Sequence, residues 1–192
     1  LFELVIFETN IKHIMNFDLQ PTLSNELIKI SQLTEDSFDE LYAVASDPLI
    51  WEQHPNKNRY QIDVFKTFFK GAIESKGAVL VYDLETNKVI GCSRYYDFDE
   101  ENNSIIIGYT FLSRDYWGKS YNRSLKKLMF DYAFKFVEKV ILHIGATNFR
   151  SQKSIEKIGA TKIGELDVAY YGEPVKTNFV YQVTKTNWQK SK

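Results

Sequence analysis

The chain has 192 residues, of which 44% are hydrophobic and 26% are charged, a balance typical of a single globular domain. Its 24 basic and 25 acidic side chains leave a net charge of -1, which argues against a dedicated nucleic-acid-binding surface. A single cysteine, Cys92, excludes an internal disulfide and favours a reducing compartment. The three histidines lack metal-ligand spacing, and no apolar run reaches the length of a membrane span. We therefore expect a cytoplasmic protein without metal, membrane or nucleic-acid partners.

The first 24 residues are expected to be an N-terminal extension that precedes a single domain over residues 25–192. Residues 1–14 are apolar but contain Glu3 and Glu8 and lack a basic leader, so they do not resemble a signal peptide. Two interpretations stay open for them. They are either a non-native addition before Met15 or a native extra strand.

Strand and helix patterns alternate along the first half of the domain. Residues 25–33 alternate apolar and polar side chains, as a half-buried strand does. Thr34 is a suitable N-cap for a helix that ends before Pro48, and residues 61–75 carry the apolar stripe of a second helix. Three strand-like stretches separated by polar turns then predict an antiparallel meander: 78–84, 89–98 and 104–112.

The pattern becomes helical after Leu112, and an apolar stripe from Leu125 to Val137 marks the strongest helix of the chain. Residues 140–147 form a buried strand, and a strand reached through a helix requires a crossover to a parallel neighbour. A short helix and two final strands follow, at 151–158, 161–171 and 177–188. The order predicts an α+β fold with a mixed, mainly antiparallel central sheet flanked by helices and one parallel crossover.

The segment from Phe111 to Arg123 is the strongest candidate for function. It joins a strand to a helix through a loop containing Gly118, and the unpaired N–H groups and the dipole of the first helical turn favour an anion there. A glycine allows close approach of a phosphate, and Lys119 and Arg123 add positive charge, so the loop could bind a diphosphate. An ordinary strand-to-helix turn with solvated basic residues is the alternative.

Two motifs resemble those of the GCN5-related N-acetyltransferase (GNAT) superfamily, and in particular its branch of ribosomal-protein N-terminal acetyltransferases. They are IGYTFLSRDYWGKSYN at 107–122 and NFRSQKSIEKIGA at 148–160. The order of predicted elements also matches that fold. The resemblance implies that residues 25–192 form an acetyltransferase domain, which transfers an acetyl group directly from acetyl-CoA to a primary amine.

The resemblance assigns acetyl-CoA, the cosubstrate, to an opening between strands 104–112 and 140–147. The pantetheine would pair with the strand backbone, and the diphosphate would lie on the loop that begins the long helix. The residues that the motifs place against acetyl-CoA are Phe111, Leu112, Trp117, Gly118, Lys119, Ser120, Tyr121, Asn122, Arg123 and Asn148.

The sequence departs from the family pattern at four positions. Ser120 stands where the motif has glycine, and Asn122 stands where it has glycine or alanine. Ile106 replaces a glutamate of many members, and Ile155 replaces a tyrosine that many others use as a general acid. Ser151 matches a family position whose hydroxyl can reach the CoA sulfur, which makes it the predicted catalytic acid. Capping of the short helix is its alternative role.

The residues predicted to contact the acceptor amine are Trp51 and His54, between the first two helices, and Arg94 and Tyr96, on the central strand. The resemblance places the former region over the acceptor pocket, and Arg94 could pair with a carboxylate of the acceptor. A base could come, through water, from an acidic residue of the following turn (Asp97, Asp99 or Glu101), or no base is needed if the amine has a low pKa.

The sequence leaves the acceptor open between a small molecule and a peptide or protein N-terminus. A homodimer formed through the aromatic-rich final strands is a further expectation. Because two familiar catalytic side chains are replaced, the alternative function is a catalytically silent acyl-CoA-binding or regulatory module of the same fold.

Overall fold

The computed structural model describes residues 17–169 and 174–190. Both interpretations of residues 1–14 therefore concern a segment outside the described residues. The strands are β1 (Leu23–Ser24), β2 (Ile28–Gln32), β3 (Ala78–Asp83), β4 (Val89–Asp99), β5 (Ser104–Leu112), β6 (Lys139–Gly145), β7 (Thr161–Val168) and β8 (Lys176–Thr184). The α-helices are α1 (Phe38–Ala45), α2 (Ile62–Glu74), α3 (Tyr121–Ala133), α4 (Phe149–Glu156) and α5 (Lys185–Lys190). Short 3₁₀ helices lie at Glu35–Ser37, Pro48–Ile50 and Arg114–Tyr116.

The described strands form one eight-stranded sheet in the order β1-β2-β3-β4-β5-β6-β8-β7. Every neighbouring pair is antiparallel except β5 and β6, which are parallel and are joined by the α3 crossover. The predicted fold class is thereby confirmed.

The two faces of the sheet carry separate hydrophobic cores. On one face, α3, α4 and α5 pack through side chains such as Leu125, Ile155 and Trp188. On the other face, α1 and α2 pack through Leu41 and Phe65. In the parallel pair, Ile105 and Val140 are buried in the core that contains α3, whereas Ile106 and Ile141, on the other face, are half-buried.

The end of the predicted last strand is wrong. Residues 185–188 belong to helix α5. The backbone N–H of its first residue, Lys185, donates a hydrogen bond to the Glu138 carbonyl. The helical turn brings the Trp188 ring within 5.2 Å of the Phe130 ring and lets its indole N–H donate to Asp131 at 2.7 Å. A buried indole N–H needs such a partner. A single tryptophan is compatible with the apolar spacing of a helix and with that of a strand. The sequence pattern therefore did not distinguish the two structures here.

Residues 17–24, which the sequence places in an N-terminal extension, pack on the domain. Strand β1 pairs with β2. The Phe17 ring stacks on Phe136 at 4.6 Å and meets the edge of Tyr95 at 5.7 Å. No helix in the described part of the chain is both long and apolar enough to cross a membrane.

Candidate active site

A cleft opens in the middle of the sheet because β5 and β6 stay paired over a short stretch only. Their parallel register runs from Ser104 opposite Lys139 to Ile106 opposite Ile141. Beyond that point β5 continues along β4 to Leu112, whereas β6 continues along β8 to Gly145. The two strands therefore separate, and residues 107–112 of β5 face a gap instead of β6.

A β-bulge directs β5 away from β6. Arg94 pairs with Gly108 and Cys92 pairs with Phe111, so two residues of β5 oppose a single residue of β4. Tyr109, the first of the two, has a φ of 52°, in the left-handed region. Bulges bend a strand and increase its twist. The bulge is fixed by a hydrogen bond of 2.7 Å between the hydroxyls of Ser93 and Thr110.

Arg94 supports the bulge and does not reach the cleft surface. Its side chain is buried, with the guanidinium 4.0 Å from the centre of the Tyr109 ring, and its Nε has no hydrogen-bond partner. Burial lowers the pKa of Arg94. Arg94, which was predicted to contact the acceptor, lines neither of the cavities described below, whereas the Tyr109 ring on which it packs lines one of them.

Two adjoining cavities occupy the cleft. The loop cavity, of about 650 Å³, lies between residues 110–123 and helix α4. The strand cavity, of about 140 Å³, lies between β5, β6 and the segment 51–59. The residues that line both, and so mark their junction, are Trp51, His54, Thr110, Asn122, Lys126, Asn148, Ser151 and Ser154.

Most of the residues predicted to contact acetyl-CoA line the loop cavity: Phe111, Leu112, Trp117, Gly118, Ser120, Asn122, Arg123 and Asn148. Lys119 and Tyr121 do not. Lys119 is exposed, and the Tyr121 hydroxyl donates to Asp83 at 3.0 Å on another side of the helix. The carbonyl of Leu112 accepts a hydrogen bond of 3.0 Å from the Trp117 indole, which uses one of its two lone pairs.

The loop that begins α3 contains two residues with left-handed backbone. Gly118 has a φ of 73°, and a side chain built on it would meet no atom within 4 Å. Ser120 has a φ of 64° and is the N-cap of α3, but its side chain makes no capping hydrogen bond. A left-handed backbone is costly for a residue with a Cβ. The glycine that the family motif places at 120 is therefore explained by the conformation that Ser120 adopts here.

A group of basic residues that sequence reasoning missed lines the loop cavity from α4. Arg150 stacks at 4.0 Å over the Trp117 ring and donates to the Ile50 carbonyl at 3.0 Å. Lys153 and Lys157 follow at helical spacing, opposite Arg123. No acidic side chain is among the described residues of this lining. The sequence signal that could have identified them is the i, i+3, i+7 spacing of these three cations, which places them on one face of a helix.

Helix α4 is capped by Asn148 and not by Ser151. The Asn148 side-chain oxygen accepts the Ser151 backbone N–H at 3.2 Å, the usual N-cap interaction. The Ser151 side chain lies at the junction of the two cavities. Asn122, whose position is small in the motif, donates to the Ser154 hydroxyl at 2.8 Å and so links α3 to α4.

Trp51, His54 and Tyr96, three of the residues predicted to contact the acceptor, all line the strand cavity. The Trp51 indole donates to the Ala45 carbonyl at 2.7 Å, which fixes the ring as a wall. The His54 Nδ1 accepts the Asn56 backbone N–H at 2.9 Å. Burial, with a smaller contribution from Arg59, holds the pKa of His54 well below its usual range, so the imidazole is neutral.

His143 on β6 is a titratable group of the strand cavity that the sequence did not single out. Burial lowers its pKa, and the nearby carboxylate of Asp97 opposes that shift in part. Asp97, Asp99 and Glu101 are not among the described residues lining either cavity. Asp99 instead accepts hydrogen bonds from Asn102 within the β4–β5 turn. A histidine inside a strand is usually a packing residue, which is why it gave no sequence signal.

Lys126 lies at the junction of the cavities and is only 4% exposed. Its ammonium donates to the Thr110 hydroxyl at 2.8 Å. Burial alone lowers the pKa of Lys126 to about 7. Sequence reasoning missed this residue because paired lysines on a helix usually mark the solvated face. Among the described residues, no group of three or more His, Cys, Asp or Glu side chains could hold a metal ion.

Comparison with known proteins gives the same assignment as the motifs. The family model described as "Acetyltransferase (GNAT) domain" matches residues 28–161. The chain belongs to the GNAT acetyltransferase family. This family uses acetyl-CoA, and the positive lining, the glycine turn and the N-terminus of α3 in the loop cavity suit its diphosphate and phosphate groups.

Solved GNAT structures share the fold at low sequence identity. A probable acetyltransferase of the family from Chromobacterium violaceum has a TM-score of 0.75 at 17% identity, covering 88% of each chain. Spermidine N-acetyltransferase from Vibrio cholerae, in complex with CoA and spermine, has a TM-score of 0.65 at 15% identity, covering 86% of this chain and 99% of its own. Ribosomal-protein-S5-alanine acetyltransferase from Vibrio fischeri has a TM-score of 0.63 at 16% identity, covering 88% of this chain and 99% of its own.

The backbone of Ser120 provides a test of the α3 loop. Ser120→Gly should raise the free energy of unfolding by about 0.5–1 kcal/mol, because the left-handed strain exceeds the entropic cost of a glycine. Thermal unfolding should show a rise of about 1–4 °C. The matched control is Ser124→Gly inside α3, which should lower stability by about 0.5 kcal/mol. Destabilisation by both changes would contradict the conformation described for Ser120.

Proposed function

We propose that this protein is an acetyl-CoA-dependent N-acetyltransferase that acetylates a primary amine by direct transfer in a ternary complex. The observation that carries the proposal is the junction of the two cavities. The loop cavity has a basic lining suited to phosphates, and it meets the strand cavity beside the bulge of β5. Donor and acceptor can therefore approach one point from different sides.

The loop cavity offers groups for each part of the cosubstrate. The N-terminus of α3 and Arg123 would hold the diphosphate, and the cations of α4, Arg150, Lys153 and Lys157, would bind the remaining phosphate. The backbone of β5 beyond Ile106, which has no strand beside it in the gap, would pair with pantetheine. When bound, acetyl-CoA supplies a thioester whose acetyl carbon forms a C–N bond to the amine as its C–S bond breaks.

Two side chains of this chain are placed to move the protons. His143 is neutral near pH 7 because its pKa is lowered, so it can accept a proton from an acceptor ammonium in the strand cavity. Asp97 lies near enough to stabilise the imidazolium that results. Ser151, at the junction, can donate a proton to the departing thiolate, and α4 does not need its hydroxyl as a cap.

The acceptor is proposed to be a small amine or a peptide N-terminus. Neighbours of this fold include one named for spermidine and one named for the alanine of a ribosomal protein, so the fold accommodates both classes. The wall formed by Trp51 and Tyr96 would contact the acceptor. A catalytically silent acyl-CoA-binding module remains the second candidate, because Ile106 and Ile155 replace two familiar catalytic side chains.

Turnover and the role of Ser151 can be measured together. Wild-type protein should release CoA thiol from acetyl-CoA when supplied with suitable members of a panel of amines, whereas a binding module would bind CoA without release. Ser151→Ala should lower kcat at least tenfold, because general-acid catalysis is typically worth about 10²–10⁴-fold and a water molecule can recover part of it, while the melting temperature and CoA affinity stay unchanged.

The matched control for Ser151 is Asn148→Ala. Loss of that N-cap should cost about 1 kcal/mol of stability, which a melting curve detects. A Ser151→Ala protein that is destabilised to the same extent, with normal turnover, would show that Ser151 supports the helix and that solvent supplies the proton.

His143 is tested by the pH dependence of kcat/KM. The wild-type profile should fall on the acid side below the usual histidine pKa, because the lowered pKa keeps the imidazole neutral down to that pH. His143→Gln should lower kcat by about 10²-fold or more. It should also remove the part of the acid-side decrease of kcat/KM that is due to protonation of this histidine. An unchanged rate and profile in His143→Gln would exclude His143 as the base.

A further inference from the structure

Lys126 is the only described lysine or arginine that lies at the junction of both cavities. Its side chain comes from the second turn of α3 and is buried to all but 4% of its surface. The single hydrogen bond recorded for its ammonium is the one to Thr110 at 2.8 Å. No salt bridge within the described residues involves it.

An ammonium in this position lacks the partners that would compensate for its lost hydration. Removing a charge from water is strongly unfavourable unless an opposite charge or several hydrogen bonds replace the hydration. One hydroxyl does not do so, and burial is the only cause that lowers the pKa of Lys126. A carboxylate brought into the junction would restore the charged form and gain a charge-assisted hydrogen bond.

The position of Lys126 relates it to the donor. Its partner Thr110 lines both cavities and directly precedes Phe111 and Leu112, which line the loop cavity. Lys126 lies five residues beyond the start of α3, about 7–8 Å along the helix from the proposed diphosphate site. Lys126 thus lies beyond the start of α3 that is proposed to hold the diphosphate, and it lines the junction at which the acyl group would meet the acceptor.

Apart from the Trp51 ring, the rest of the junction is polar as well. A pocket shaped for a methyl group alone would be lined by apolar side chains. Here Lys126 is joined by hydroxyl and amide side chains, namely Thr110, Asn122, Asn148, Ser151 and Ser154. Such a lining offers hydrogen-bond donors to the second oxygen of a carboxylate.

We propose that Lys126 binds a carboxylate at the far end of the acyl group, so that the protein also accepts thioesters of dicarboxylic acids, such as succinyl-CoA, and binds them more tightly than uncharged acyl-CoA of the same chain length. This inference rests on the proposed function, since it concerns the same site. It adds a charged acyl group to the set of donors and assigns Lys126 as the residue that selects it.

The test compares binding of three compounds by calorimetry, without any acceptor. Free CoA measures the basic lining alone. Butyryl-CoA and succinyl-CoA both carry a four-carbon acyl group, but only the latter ends in a carboxylate. Wild-type protein should bind succinyl-CoA at least about tenfold more tightly than butyryl-CoA, as expected for one charge-assisted hydrogen bond.

The variant is Lys126→Met, which keeps the length of the side chain and removes the charge. Its affinity for free CoA should stay within about twofold of wild type, and its preference for succinyl-CoA should disappear. Because the change removes a buried charge, the melting temperature should not fall. The matched control is Lys127→Met, the exposed neighbour on α3 that pairs with Asp131, which should keep the full preference.

Each outcome has a distinct meaning. Equal affinity of wild type for succinyl-CoA and butyryl-CoA, or a preference that survives Lys126→Met, would overturn the assignment. Failure to bind free CoA would overturn the proposed function itself. A carboxylate could also be carried by the acceptor. If Lys126→Met raised KM for glycine but not for ethylamine, with no effect on donor binding, the carboxylate would belong to the acceptor and the donor assignment would be wrong.

Discussion

The two central strands of the sheet are held to each other over three residue pairs, and the functional cleft depends on that limit. Ser104–Ile106 of β5 pairs with residues 139–141 of β6, after which each strand follows its other neighbour. The bulge at Tyr109, fixed by Ser93 and Thr110, prevents the strands from closing again. Because α3 connects them, the same geometry places the N-terminus of a helix at the mouth of the gap. A parallel pair, a bulge and a helix start together produce one cleft with two entrances.

Charge is distributed along this cleft in an order that suits its proposed ligands. Arg123, Lys153 and Lys157, which line the loop cavity, are exposed, so phosphates bound there would remain partly solvated. Lys126 is buried and His54 and His143 are half-buried, and loss of hydration lowers the pKa of each. A site that lowers the pKa of its amines and imidazoles has neutral bases available near pH 7, which acyl transfer to nitrogen requires.

Local signals predicted most of the fold, and tertiary contacts decided what the sequence missed. The apolar stripes and the helix-ending Asp47–Pro48 sequence predicted the helices. The polar turns predicted the antiparallel meander of β3, β4 and β5. Helix α5 was missed because a contact between residues distant in the sequence, the packing of Trp188 on Phe130, accompanies the helical turn and leaves no local signal. In the site, the motifs indicated the loop at 117–123. They did not indicate Lys126, whose burial depends on Thr110 across the cleft, or the outward turn of Tyr121 toward Asp83.

The separated stretch of β5 and the start of α3 are proposed to form the binding surface for CoA. Hydrogen exchange followed by mass spectrometry, with and without saturating CoA, tests this proposal, because amides that gain a partner exchange more slowly. Exchange is expected to slow at residues 107–123 and at the start of α4, with little change in β1–β3. Slower exchange confined to other strands, with residues 107–123 unaffected while CoA is bound, would contradict it.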